Sequence, residues 1–400
     1  GKRAPSPGVL PLHPHLSQSL RGAQMHPTSS TCYPVRAVLI FMGYLHVATA
    51  AASAARGAKA RLPANQPGNF YVDASCIDCD TCRWLAPDIF GRGDDRSFVA
   101  RQPWSSEDVR RAAAAAIACP TGSIRTEQPV AEAKDVARSY FPAPVDANRL
   151  PRVFHLGHHA AESFGATPYL VSPGVGSSGV SFMVDSPRFS TRLAQLIEAV
   201  VGSRGPDMLL LTHIDDVGHH GRWKERWPEM KRVIHSTEVR GPDMWPYIET
   251  RDVELQLVDA DAVTPDSSTP GSLPRWHLAP GLSAIHTPGH TPGSLCFLAA
   301  PDATDGDGCL FTGDHLALSG RLGRLDGFAR YSQDTNVQAE STRALAVEPF
   351  LHILPGHGRR HSFGNSARRE AEMLKAADEY ATDPRGESAP GPLYLQPEDM

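Results

Sequence analysis

The strongest constraint on this 400-residue chain is a quartet of cysteines: Cys76, Cys79 and Cys82 spaced as CxxCxxC, and Cys119 followed at once by Pro120. Thiolates two residues apart can wrap one side of a small iron–sulfur cubane, and a distant fourth from a helix end completes the sulfur ligand set. Zinc also accepts CxxC pairs, but zinc ribbons usually present two separated pairs instead of a triple and a Cys-Pro. A disulfide framework would leave the closely spaced triple without an obvious pairing. No second quartet exists, so one cluster at most can be held. Cys32 lies near the N-terminus, while Cys296 and Cys309 sit in apolar runs and read as buried structural thiols.

Composition is ordinary for a soluble chain with room for two domains, at 41% hydrophobic and 21% charged. It is not basic enough to suggest a nucleic-acid partner. The net charge of -5 hides an asymmetry: residues 1–72 hold seven Lys/Arg and no acid, which leaves 32 basic against 44 acidic residues beyond them. An acid-free stretch rich in Ser, Ala, Arg and Pro has the composition of a transit peptide, so an N-terminal leader at 1–66 is expected to lie outside the fold, with a plastid as first destination and a mitochondrion or the secretory route as alternatives. The apolar run Ala37 to Ala55 is expected to be a cleaved segment, leaving no stable membrane span in the mature protein.

Along the rest of the chain, a cysteine module is expected at 67–128. Ser105 with Asp108 three residues later, followed by VRRAAAAAIA, predicts a capped helix over 107–118. The stretch 129–150 mixes charge with prolines and shows no sustained period, which predicts a linker. From 151 to 380 short apolar strands alternate with amphipathic helices, the pattern of a layered α/β domain. The Pro/Gly-rich residues 381–400 are expected to form a disordered tail.

The segment around the four cysteines resembles the single-cluster bacterial-type ferredoxins. That resemblance implies an α+β ferredoxin-like module, and the cysteine at position 79 implies one [4Fe-4S] cluster over a three-iron one.

The second domain places polar residues at the ends of its apolar runs: THIDDVGHHGRW, AIHTPGHTPGS, LFTGDH and ILPGHGRRH. Any one histidine after a strand is ordinary, but four such segments bracketed by Gly or Pro can converge on one pocket at the edge of a layered sheet. Together they resemble the ordered motifs of the metallo-β-lactamase superfamily: the HxHxDH loop, GHTPGS, TGD and PGHG. The resemblance implies a four-layered αββα fold, glyoxalase-II-like, and one or two Zn, Fe or Mn ions. By position it implies metal ligands at His213, Asp215, His219, His220, His290, Asp314 and His357, with Asp314 as the bridge and Asp215, Asp216 and Asp314 as catalytic carboxylates. The whole arrangement is similar to ferredoxin and metallo-β-lactamase fusion proteins of plants, algae and bacteria.

The first loop departs from the superfamily pattern. It reads His213-Ile-Asp215-Asp216-Val-Gly-His219-His220, with two residues added and Asp215 replacing the second histidine. The fusion family's pattern is THxDDVxDH, so His219 stands where an aspartate is expected. Extra carboxylates tilt preference modestly from zinc toward iron or manganese.

Such a site lowers the pKa of a bound water and polarises a scissile carbonyl or phosphoryl oxygen. The leading expectation is therefore a metal-dependent hydrolase of a small-molecule thioester, ester or related bond, with an appended iron–sulfur module. One alternative is a diiron oxidoreductase handling oxygen, nitric oxide or a sulfur species, with a redox partner feeding the cluster. The other is a non-catalytic electron carrier or scaffold with a weakened second site. His155, His158 and His159 are candidates for a substrate pocket, with a surface role as the default. Arg359, Arg360 and His361 could hold an anionic substrate or form a solvated turn. His286 and His315 neighbour ligand positions, and Trp223 and Trp227 read as packing. No oligomeric state is implied.

Overall fold

The computed structural model of the chain describes residues 59–173, 179–244, 248–263 and 272–383. Most of the expected leader, including Ala37 to Ala55, and the tail beyond residue 383 lie outside the described residues. Among the described residues no helix is long and apolar enough to cross a membrane.

The cysteine module begins earlier than composition suggests. Leu62 N–H donates to Val72 O at 3.1 Å, and the buried Asn65 side chain accepts from both Val72 N and Val99 N at 2.9 Å. Residues 59–66 are thus tied to the module, a correction to a leader ending at 66, because one buried amide closes two strand ends. Strand Phe70–Val72 pairs antiparallel with Ile124–Thr126, and Phe90–Arg92 pairs with Ser97–Val99. Ser105 Oγ caps the helix Ser106–Ala118 by accepting from Asp108 N at 3.1 Å. Its alanines let Phe70, Ile89 and Phe90 approach closely enough to form a small core.

The segment 129–150 is not a linker. It forms a helix, Ala131–Ser139, whose Val136 packs with Phe141 against Ala113, Ala114 and Ala118, and then a strand, Ala143–Asp146. Two buried apolar residues suffice to hold a helix here because the buried partner face is mostly alanine. The strand carries prolines and lies at the edge of its sheet, where a missing N–H costs least.

That sheet has seven strands in the spatial order Leu255–Leu257, Lys231–His235, Met208–Leu210, Phe182–Val184, Tyr169–Val171, Leu150–His155 and Ala143–Asp146. A second sheet runs Arg275–Ala279, Leu282–His286, Leu295–Ala299, Cys309–Gly313, His352–Pro355 and His361–Ser362. Strand alternation sends Phe182 and Val184 into the space between the sheets and Met183 to the outer face. The inner core joins Tyr169, Phe182 and Leu210 to Phe297, Cys309 and Phe311. The helix Thr191–Val201 covers the outer face of the first sheet, and Thr335–Leu345 with Ser366–Thr382 covers the second. The result is a four-layered αββα sandwich, as expected.

Trp223 anchors the first ligand loop from below. It is fully buried, stacks on Trp227 at 5.1 Å, meets Phe189 edge-on at 4.7 Å, and donates its indole N–H to Pro187 O at 2.7 Å. It shares a core with Ile214 and Val217 of that loop. Trp223→Ala is expected to cost about 3–5 kcal/mol in chemical denaturation. A change below about 1 kcal/mol would show that the loop does not depend on this packing.

Candidate metal centres

In the first module the four cysteines line one cavity with Thr81, Ser97, Thr121 and Ser123. All four are free thiols, Cys82 and Cys119 buried, Cys76 and Cys79 partly so. Asp78 and Asp80, both in the left-handed region at φ 60 and 62, turn the chain between the clustered cysteines. Their carboxylates are held by buried Arg83, with Arg83 Nε to Asp80 Oδ1 at 2.6 Å. Backbone N–H groups of Asp78 and Ser123 donate to Cys76 Sγ at 3.4 Å and Cys119 Sγ at 3.3 Å. Burial pushes Cys79 up to about 12, with the neighbouring Cys119 sulfur adding to it, and also raises Cys76 and Cys82. Four crowded sulfurs with donors aimed at them fit a metal–sulfur cluster, whose irons would stabilise the thiolates that burial disfavours.

In the second domain, strand ends deliver a second donor set. Met208–Leu210 leads to His213, Cys309–Gly313 to Asp314, His352–Pro355 to His357, and the loop after Leu282–His286 to His290. The two sheets are laced together at this edge: Leu295 N–H donates to Thr212 O at 2.8 Å and Thr167 N–H to Gly356 O at 2.7 Å. Gly313 sits at φ +50, and a Cβ there would lie 2.5 Å from Thr212 Oγ1, so only glycine permits the approach.

Hydrogen bonding fixes how His213 faces the site. Thr212 Oγ1 donates to Asp185 Oδ1 at 2.9 Å and so accepts from His213 Nδ1–H at 3.0 Å. The bare Nε2 then points at Asp215 Oδ2, 3.8 Å away, and Asp314 Oδ2, 3.9 Å away. His290 Nε2 lies 3.7 Å from Asp314 Oδ2, and His357 Nδ1 lies 2.7 Å from Asp314 Oδ1. His213 Nε2, Asp215 Oδ1, both oxygens of Asp216, His290 Nδ1 and His357 Nε2 are buried without a hydrogen-bond partner. Ligand atoms of His213, Asp215 and His290 fall within 4.8 Å of one another, as do those of His213, Asp216 and Asp314. Buried imidazoles and carboxylates that leave their lone pairs unused fit a bound divalent cation.

Electrostatics agrees. Burial drives His213 down to about 3 and lowers His290, so both are neutral and available as ligands. Burial, with Asp314 nearby, pushes Asp215 up to about 7 and Asp216 well above the carboxylate range. Burial would also raise Asp314, but His357, His213 and His290 outweigh it and hold the group low, while Asp314 in turn raises His357.

Two expected ligands are placed elsewhere. His220 accepts from Arg232 at Nδ1, 3.0 Å, and donates Nε2–H to Glu249 O at 2.9 Å, so both nitrogens are committed to protein. His219 faces Glu162, with Nε2 to Oε2 at 3.2 Å. The short helical turn Ile214–Asp216 aims both aspartates at the site and carries the later histidines past it. Arg359 pairs with Asp80 at 3.1 Å, Arg360 covers the Trp84 ring, and His361 pairs with Glu372 at 2.8 Å, none of them in position for an anionic substrate. His155 and His159 are neither pocket nor surface residues; they are buried against the cysteine module, with Nε2 atoms 2.8 Å apart. His315 packs under the helix Thr335–Leu345 through Thr342.

A further trio, His235, Asp259 and His286, brings three ligand atoms together. Its two rings lie nearly parallel, 18° apart at 4.2 Å. In-plane lone pairs of parallel rings cannot converge on one ion, so this trio is not a metal site.

Sequence reasoning missed two supports. Asp185, at φ 55 after strand Phe182–Val184, is pushed by burial up to about 7. Glu238, fully buried, accepts from Ile214 N at 3.0 Å and Gly293 N at 2.7 Å, clamping the first ligand loop to the GHTPGS loop.

Comparison with known proteins gives these sites their context. Residues 72–126 match the family described as the 4Fe-4S single cluster domain of Ferredoxin I. The chain is 26% identical over 197 residues to hydroxyacylglutathione hydrolase GloC of Haemophilus influenzae, covering 46% of this chain and 84% of that protein. The chain joins a single-cluster ferredoxin domain to a metallo-β-lactamase-fold domain. It is also 37% identical over 87 residues to an uncharacterized protein of Mycobacterium leprae, spanning 37% of that protein's length. Solved structures similar to the metallo-β-lactamase-fold domain include the mono-zinc form of FIM-1 from Pseudomonas aeruginosa, with 16% identity over 54% of this chain and 84% of that one and a TM-score of 0.37. BJP-1 of Bradyrhizobium japonicum is another, with 15% identity over 62% and 96% and a TM-score of 0.37. The match supports one [4Fe-4S] cluster in the ferredoxin domain, and the donor set of the second domain fits a divalent metal.

Two expectations follow. Metal must displace protons from Asp215, Asp216 and His357, whereas His213 and His290 are already neutral, so affinity is expected to rise by about tenfold or more per pH unit from about pH 5 to about 7. Competition with a chromophoric chelator measures this, and a flat profile over that range contradicts it. Glu238→Gln places an amide N–H₂ against a backbone N–H, and metal affinity is expected to fall roughly 10–100-fold with the fold retained.

Proposed function

We propose that this chain is a metal-dependent hydrolase of a small-molecule thioester or ester, carrying an iron–sulfur module that reports on redox state. The observation that carries the reading is the convergence of His213, Asp215, Asp216, His290, Asp314 and His357 with buried, unpartnered ligand atoms at one edge of the sandwich. Similarity to a hydroxyacylglutathione hydrolase across most of that enzyme's length supports a thioester as substrate. The acid-free residues 1–72 support delivery to a plastid.

His213, His290 and His357 would hold the metal as neutral imidazoles, with Asp314 between them and Asp215 and Asp216 adding oxygen donors. When bound, the metal would supply an activated water near neutrality and polarise the scissile carbonyl. Three carboxylates beside three imidazoles suit iron or manganese as well as zinc.

The test uses anaerobically prepared holoprotein and hydroxyacylglutathione thioesters, with release of free thiol as the readout. Activity is expected to disappear in His290→Ala and Asp314→Ala together with second-site metal, leaving the cluster's colour. His220→Gln is expected to retain that metal. Metal-replete protein that releases no thiol from these or simpler thioesters, and no carboxylic acid from the matching esters, overturns the assignment.

A further inference from the structure

Contacts between the two domains gather at the cluster ligands. Gly165, at φ +93 in the metallo-β-lactamase-fold domain, lies so close to Cys79 that an added Cβ would be 2.8 Å from Cys79 Cβ, 3.3 Å from its Sγ and 3.1 Å from Pro120 Cγ. Gly165 O accepts from His159 Nδ1 at 2.7 Å; the same nitrogen is 3.2 Å from Thr81 Oγ1, which lies 3.5 Å from Cys79 Sγ. Arg188 donates to Ile117 O, Cys119 O and Pro120 O at 3.1 to 3.3 Å, where the helix before Cys119 ends. Of the four cysteines, Cys79 and Cys119 carry these contacts.

The same segment reaches the second centre. Two residues past Gly165, Thr167 N–H donates to Gly356 O at 2.7 Å, and Gly356 precedes His357. A Cβ on Gly356 would lie 2.8 Å from Asp216 Oδ2 and 3.1 Å from Asp314 Oδ1. Two residues after His357, Arg359 Nε pairs with Asp80 Oδ2 at 3.1 Å, and Asp80 directly follows Cys79. Residues 356–359 thus touch the cluster loop by two routes, one through Gly165–Thr167 and one through Arg359. Three residues of backbone span at most roughly 10 Å.

We propose that these contacts couple the two metal centres energetically: a divalent cation at the second site raises the reduction potential of the cluster, and a reduced cluster tightens cation binding at the second site. The proposal rests on the reading that both sites hold metal, and it deepens the proposed function by naming its regulation. One electron from an external low-potential reductant enters the cluster, and no bond forms or breaks. The added negative charge is stabilised by a cation joined to the cluster loop through the buried Thr167–Gly356 contact and the Arg359–Asp80 pair, where burial weakens screening. Reciprocity is required by thermodynamic linkage. A tenfold preference of the cation for the reduced form, within the usual range of coupling between sites, equals about 59 mV for a one-electron couple.

The experiment is a reductive potential measurement on anaerobic full-length protein, following the cluster's visible absorbance and paramagnetic signal with and without zinc at the second site. Zinc is redox-silent, so the shift belongs to the cluster. The potential is expected to be about 59 mV higher with zinc bound. Arg359→Gln and Gly165→Ala are each expected to shrink that difference; if Gly165→Ala fails to hold the cluster, the partly exposed Arg359 carries the test. Bound zinc with no shift overturns the proposal and leaves the hydrolase reading intact. A shift unchanged in every variant that retains its cluster also overturns it, because the contacts would then not carry the coupling. Full coupling without thioester hydrolysis sinks the hydrolase reading alone, and failure to bind zinc, iron or manganese at the second site sinks both.

Discussion

Too many acids share one buried corner of the sandwich. Asp185, Asp216 and Asp314 are each sequestered and each feels the others, with Asp215 beside them. Isolated buried carboxylates are expensive, and one partner cannot settle several of them. Protons on Asp185, Asp215 and Asp216 and the imidazole of His357 reduce the conflict in the metal-free protein, at the cost of buried oxygens left without partners. A divalent cation resolves it more fully, which is why the donor set reads as a metal centre and not as a salt-bridge network.

Holding these groups against their own repulsion requires a stiff frame. The strand ends are joined across the sandwich by backbone bonds from Leu295 to Thr212 and from Thr167 to Gly356, and Glu238 ties the loops after His213 and after His290 to a single carboxylate. Beneath them Trp223 and Trp227 stack in a core shared with Ile214 and Val217. The ligands therefore sit on short turns that leave a rigid edge, the arrangement that keeps a site ready before metal arrives.

The cysteine quartet was legible because cluster ligation demands a spacing that little else produces. His213, His290, Asp314 and His357 were legible because each closes a strand within a Gly- or Pro-marked turn. His219 and His220 misled because spacing along a loop says nothing of where a one-turn helix stops; Ile214–Asp216 spends the approach to the site on aspartates, and His220 is left to Arg232. Asp185 and Glu238 carried no motif, since their work is to hold backbone N–H groups of distant segments. The helix Ala131–Ser139 was hidden because its burial rests on Val136 and Phe141 meeting an alanine face, too few apolar residues to show a period. Arg359 and Arg360 looked like anion binders because a sequence does not reveal that another domain lies alongside.

That junction also explains the buried histidines. His159 Nδ1–H donates to Gly165 O, so its Nε2 must accept from His155 Nε2–H, and the chain of bonds closes only if the His159 ring is neutral. Burial enforces this, driving His159 down to about 3 and His155 well below the usual histidine range. With Nδ1–H also directed at Thr81 Oγ1, the threonine hydroxyl is left to face Cys79 Sγ. Two buried, neutral imidazoles thus lie at the junction, beside the Arg359–Asp80 ion pair. Water in their place would reorient and screen each centre from the other; rings locked in one tautomer by their hydrogen bonds cannot.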